Sequence, residues 1–269
     1  MQETIIRSWD ELQAAIFRDV WDASILRYRD NCVYRGMSNR DWGLMPSLNR
    51  ACAHDMTLEK QMLRSFKKYG YADLHSVSSF WQLLALAQQY GLPTRLLDWT
   101  YSPLVAAHFA TEDLSAYDRD GVIWCIDMTD VNDQLPSVLR HKLKEQKGVI
   151  FTRDILDEVA KNFDTLRAYS TRPFALFFEP ASTVNRIANQ YALFSVVSDP
   201  AVTLLDLPES ERFTRIIIDH KAKLEIRDKL DYINISERMI YPGLDGICKW
   251  IARRYAPLGP LYNTKEEAP

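Results

Sequence analysis

Apolar residues recur along this chain at two spacings, and the changes between them mark out its elements. A helical period runs through Trp9, Leu12, Ile16 and Phe17, predicting an N-terminal helix over 8–20 opened by Ser8, with Glu11 at the capping-box distance. A second amphipathic helix is expected over 57–69, with Leu58, Met62 and Phe66 on its apolar face. Residues 80–90 (FWQLLALAQQY) are apolar nearly all round and predict a buried helix. Gly91 suits its C-cap and Pro93 blocks continuation, so 92–100 reads as a loop. Ser102 and Pro103 then open another apolar helix, as N-cap and first helical residue.

Continuous short apolar runs predict strands at 5–6, 32–36, 122–128, 149–151, 174–178, 193–197 and 216–218. Between them, 130–148 is a polar insertion with one helix. Further helices are expected over 152–163, 183–190, 221–233 and 245–255, the last with Ile247, Trp250 and Ile251 turned inward. The tail 257–269 is expected to fray. No repeat or Gly/Ser-rich linker interrupts the chain, and its 9 glycines leave little room for flexible joints. A single α+β domain over 1–269 accounts for this order.

The 269 residues suffice for a substantial core, and 47% hydrophobic with 26% charged residues is ordinary globular composition. No apolar run is long enough to span a bilayer, and the N-terminus lacks a signal core. Cys32, Cys52, Cys125 and Cys248 are scattered without a CxxC pair, which fits reduced thiols in a cytoplasm. A net charge of −3 gives no overall field favouring nucleic acid.

GxxxxGK, GxGxxG, HExxH, GxSxG and zinc-spaced Cys/His sets are all absent. The five histidines are isolated, and His108, inside an apolar helix, reads as a core or edge residue. Three short motifs carry the remaining chemistry: Tyr34-Arg35-Gly36, the loop from Gly91 to Thr100, and Asn185-Arg186-Ile187 with Gln190 and Phe194. Each brings an arginine, whose rigid fork suits phosphate oxygens, and a glycine alongside permits close ligand approach. In the loop, Arg95 and Asp98 need partners if buried, either each other or a ligand. Tyr90 or Trp99 offers a face for a flat ring.

The order YRG, QQYGLPTRLLDWTYSPLVAAHFA, RIANQYALF and YPGLDGICKWI resembles the FRG domain, from Tyr34 to Ile251. The family often has His where this chain has Gln89, and Gly where it has Ala192. The FRG domain is in turn distantly similar to the ADP-ribosyltransferase fold, which implies a split sheet surrounded by helices and NAD as substrate. By that resemblance Tyr34, Arg35, Gly36, Tyr90, Thr94, Arg95, Trp99 and Arg186 bind NAD. Arg35 and Arg95 hold the pyrophosphate, and Trp99 or Tyr90 packs on the nicotinamide. Asp98, Thr100 and Gln190 are the catalytic candidates. Gln190 falls where a catalytic Glu is usual, with Glu179 as an alternative source; Gln can orient a ribose hydroxyl but cannot act as a base. The implied acceptor is RNA, DNA or protein, in a toxin or phage-defence setting with an antitoxin or defence-system partner and no membrane. The alternative is a non-catalytic module that binds a nucleotide or a partner in the same pocket.

Overall fold

Ten strands organise the described residues: β1 (Gln2–Ile6), β2 (Trp21–Asp22), β3 (Arg27–Tyr28), β4 (Cys32–Met37), β5 (Leu97–Thr100), β6 (Gly121–Asp127), β7 (Phe151–Thr152), β8 (Ala175–Glu179), β9 (Ala192–Val197) and β10 (Thr214–Ile218). They belong to a computed structural model that describes residues 1–52, 57–181 and 185–256. β2 and β3 make a small hairpin; the other eight form one mixed sheet in the order β1-β10-β6-β4-β5-β9-β8-β7. Helices surround it, giving an α+β domain. No helix among the described residues is long and apolar enough to cross a membrane.

The ladder is uneven. β4 shares six residue pairs with β6, and β5 shares four with β9. Between β4 and β5 there is a single pair, Tyr34↔Thr100. The eight strands are therefore two half-sheets joined by one rung, and beyond that rung β4 and β5 diverge.

Register shows how the layers sit. Tyr34 pairs with Thr100, and Asp98 with Phe194, so these side chains share one face of the sheet. On that face the Tyr34 half is covered by the helices Trp9–Ile16, Pro103–Thr111 and Lys223–Tyr232. The Phe194 half is covered by Leu58–Tyr69, Phe80–Gln89, Ser137–Glu145 and Arg153–Val159. Val33, Leu97, Trp99, Trp124, Phe177 and Ile217 fill a third cluster on the opposite face. Two helical layers thus stand side by side on one face, with the weak rung beneath the seam.

Local signals set these helices. The Ser102 hydroxyl accepts from Val105 N with Pro103 in the first turn, and Ser79 caps its helix through Gln82 N. Gly91 takes a left-handed φ of 85° after the Phe80–Gln89 helix, which a side chain would resist. Gly36 serves packing: a Cβ there would collide with the Ala106 carbonyl of the helix Pro103–Thr111. That helix is seated directly on β4 because position 36 has no side chain.

Several expectations are corrected. Leu97–Thr100, read as loop, is a central strand. The N-terminal helix ends at Ile16, short of 20. The helix expected over 152–163 is two, Arg153–Val159 and Phe163–Arg167, the second capped by Asn162. Helix Leu58–Tyr69 half-buries the expected face of Leu58, Met62 and Phe66 and fully buries Glu59 and Leu63 beside it, Glu59 being drawn inward by Arg95. In the last helix, Leu244–Tyr255, Ile247 and Ile251 are exposed, and Trp250 instead donates to Asp231 at 2.9 Å. Residues 183 and 184 of the expected 183–190 helix, and the tail 257–269, lie outside the described residues.

Replacing Gly36 with Ala is expected to destabilise the fold by about 3 kcal/mol, as overpacking against backbone does, read as a lowered midpoint in thermal or denaturant unfolding. An unchanged midpoint would show that the helix can shift off the strand without cost.

Candidate functional site

Where β4 and β5 part, the seam between the helical layers opens into a cavity of about 840 Å³, within the range of small-molecule sites. Its wall is built from Tyr34 to Ser38, Asp41 to Gly43, Met45, Arg50, the end of the Phe80–Gln89 helix, Asp98 to Thr100, Phe109, Glu112, Asp113, Arg186, Gln190 and Tyr241. The sequence motifs around residues 35, 98 and 186 are far apart in the chain and meet here.

Arg35 spans the gap. Its Nη1 donates to the Asp98 carbonyl at 2.6 Å and lies 3.7 Å from Asp98 Oδ2. It replaces, with a side chain, the ladder bonds missing between the strands. Burial lowers the Arg35 pKa while Asp98 raises it again; an arginine remains a cation throughout. Asp98 Oδ2 also accepts from Gln88 Nε2 at 2.8 Å, and Gln88 Oε1 accepts from the Thr94 hydroxyl at 2.7 Å. Thr94, Gln88, Asp98 and Arg35 therefore form one connected chain of contacts.

On the facing wall, Arg186 Nη1 donates to the Gln89 carbonyl at 3.4 Å, and its guanidinium lies 4.9 Å from the centre of the Tyr241 ring. Among the described residues no carboxylate stands at ion-pair distance from it. The Nε atoms of both Arg35 and Arg186 are buried without a hydrogen-bond partner. A buried donor left unpaired is costly; both arginines line the same cavity. The floor is held by Thr100, whose hydroxyl donates to the Gln190 carbonyl at 2.7 Å, and by Gln190 Nε2, which donates to the Ile240 carbonyl at 3.1 Å. Lys223 braces the rim from behind, donating to the carbonyls of Ser38 and Ala116; burial lowers its pKa to about 8.

Of the residues singled out from the sequence, Tyr34, Arg35, Gly36, Asp98, Trp99, Thr100, Arg186 and Gln190 reach the cavity wall. Several are not placed for the roles expected of them. Gly36 makes room for a helix and not for a ligand. The Trp99 indole points into the opposite core, where its Nε1 donates to Ser195 and its ring lies near Phe177 and Phe213. Tyr90 is exposed and outside the wall, and Thr94 is buried behind it.

Arg95 pairs with neither Asp98 nor the cavity. Its Nε meets Glu59 Oε2 at 2.6 Å, its backbone N–H reaches Glu59 Oε1, and its guanidinium lies 3.5 Å from the centre of the Phe163 ring. Burial raises the Glu59 pKa, with Arg95 opposing it. This pair locks the loop before β5 onto the Leu58–Tyr69 helix. Glu179 accepts from Tyr101 at 2.8 Å and is likewise outside the wall.

Among the wall residues left unassigned in the sequence are Arg50, Gln88, Glu112 and Tyr241. Glu112 stands four residues after His108, the spacing of one helical face, which was the available signal. Asp120, Asp219 and His220 lie within 4.8 Å of one another, outside the cavity wall, and Asp120 is already engaged by Arg40 and the His220 N–H.

An α+β domain whose cavity sits on a parted sheet, lined by Arg35, Arg50 and Arg186, is the class this geometry defines. Residues 30–119 match the family model of the FRG domain. The matched stretch contains Tyr34-Arg35-Gly36 and the whole of QQYGLPTRLLDWTYSPLVAAHFA; Arg186, Gln190 and Tyr241 lie beyond it. No curated protein and no solved structure matches the chain.

Because Arg95 and Glu59 are both buried, Arg95→Ala leaves an unpaired buried carboxylate and is expected to cost about 3–5 kcal/mol. Denaturant unfolding measures it. A loss below about 1 kcal/mol would show that the pair does not anchor the loop.

Proposed function

We propose that the cavity binds NAD and that the protein is an ADP-ribosyltransferase acting on a macromolecular acceptor. The observation that carries this reading is that Arg35 and Arg186, distant in sequence, line one cavity, with no carboxylate at ion-pair distance from Arg186 among the described residues. Two arginine forks across a cleft suit a pyrophosphate without a glycine-rich loop. The cavity volume suits a dinucleotide with its ends partly in solvent. The parted sheet and the FRG match both agree with the distant ADP-ribosyltransferase similarity. Tyr241 on the wall carries the Arg186 and Lys249 cations against its ring.

In this reading Arg35 and Arg186 hold the phosphates, and Asp98 orients Arg35 from below. The glycosidic bond to nicotinamide breaks through a cationic sugar state stabilised by carboxylates in a partly desolvated site. The acceptor is RNA, DNA or protein, in keeping with a toxin or defence effector. A second reading, a nucleotide-binding module without catalysis, is favoured by one observation: Gln190 Nε2 and Asp98 Oδ2 are both already engaged.

Incubation of the protein with labelled NAD and a cell lysate, followed by separation of protein, RNA and DNA, tests the proposal. Label is expected in one fraction and absent with Arg35→Ala. That variant is expected to weaken NAD binding by about 10- to 100-fold, the worth of a lost charge-assisted contact, with its melting temperature nearly unchanged. NAD binding without transfer or nicotinamide release would establish the binding module. Collapse of the Arg35→Ala melting curve would make that residue structural.

A further inference from the structure

A second cavity of about 570 Å³ shares Glu112, Asp113 and Tyr241 with the first. Its remaining wall comes largely from the last helix, through Lys249, Ala252 and Arg253. Glu112 and Tyr241 therefore stand as a partition with a cavity on each side.

Glu112 is held at one oxygen only. Its Oε2 accepts from the Tyr241 hydroxyl at 2.7 Å and lies 3.3 Å from His108 Nε2. Its Oε1 has no hydrogen-bond partner among the described residues. The His108 tautomer follows from its other contact. Arg227 Nη1 lies 2.6 Å from His108 Nδ1, and because arginine can only donate, Nδ1 is the acceptor and the proton sits on Nε2, towards Glu112. Burial, together with the Arg227 charge, lowers the His108 pKa, which keeps the ring neutral and this arrangement in place. Arg227 is itself fixed by Glu237 at 2.7 Å. A relay of buried groups thus holds a carboxylate with 30% side-chain exposure at the boundary of two cavities.

We infer that Glu112 is the catalytic carboxylate of this site and that the second cavity receives the acceptor's nucleophilic group. This rests on the reading of the first cavity as an NAD site. In the reaction, the bond between the ribose C1′ and the nicotinamide nitrogen breaks, and nicotinamide leaves with the electron pair. A lone pair on the acceptor's hydroxyl, amine or thiol forms the new bond to C1′, and its proton passes to Glu112 Oε1. The products are the ADP-ribosylated acceptor, nicotinamide and, once Glu112 releases it, a proton. Asp98, turned to Gln88 and Arg35, is less suited to accept that proton.

Two variants test the inference. Glu112→Gln keeps an oxygen for Tyr241 and His108 but removes the base. It is expected to lower kcat for transfer by about 100-fold or more, in line with loss of a general base, with NAD affinity within about twofold of wild type. Ala252→Trp, at an exposed position, narrows the second cavity and is expected to raise the acceptor KM with NAD affinity unchanged. A folded Glu112→Gln protein with wild-type kcat would overturn the role of Glu112 while leaving the transferase reading intact. Wild-type acceptor kinetics in Ala252→Trp would overturn the role of the second cavity. A wild-type protein that neither binds nor turns over NAD would overturn the transferase reading and this inference with it.

Discussion

The contact between Arg35 and the Asp98 carbonyl is the constraint on which the rest of the site depends. Strands β4 and β5 are joined by one residue pair, and beyond it their backbone groups are too far apart to bond. A side chain closes the gap at 2.6 Å. A fully zipped sheet would have no cleft at its centre, and a fully open one would leave two half-sheets without alignment. The Tyr34–Thr100 pair keeps the strands in register, and the arginine bridges them where they part. The same guanidinium then lines the cleft with its Nε buried and unpaired.

Two arginines of the sequence motifs, Arg35 and Arg95, have opposite assignments for this reason. Arg95 is neutralised by Glu59 through its Nε and backbone N–H and lies against Phe163, which leaves it nothing to offer a ligand. Arg35 meets Asp98 chiefly through a neutral carbonyl, with the carboxylate oxygen at 3.7 Å. Arg95 is buried and satisfied, whereas Arg35 is half-buried and retains binding capacity. Partner and burial together separate a structural arginine from a functional one.

Much of the fold was legible in the sequence. The caps at Ser8 and Ser102, the left-handed Gly91 and the apolar strands at 122–128, 174–178 and 193–197 all follow from local chemistry. β5 was not legible, because LDWT is too short for a period and carries a charge in its middle. The site was half legible. Arg35, Asp98 and Arg186 stand in recognisable motifs, but Trp99 could not be assigned to a face before β5 was known to be a strand. The partnership of Arg95 with Glu59 joins positions 36 residues apart, and no periodicity reports it. Glu112 was hidden as an ordinary helix-end acid, given meaning only by Tyr241, 129 residues later.

Electrostatics divides the cavity into two ends. Arg35 and Arg186 make one end suited to phosphates, while Glu112 with Tyr241 places a carboxylate at the boundary with the neighbouring cavity. The most direct measurement is amide hydrogen exchange across the parted strands, with and without saturating NAD. Exchange reports local opening, and the wedge is held by few backbone bonds. The account predicts slowed exchange in 34–38 and 97–100 when NAD is present, with the Glu59 and Arg95 region little changed. Unchanged exchange in those two strands at saturating NAD, or protection confined to another surface, would contradict it.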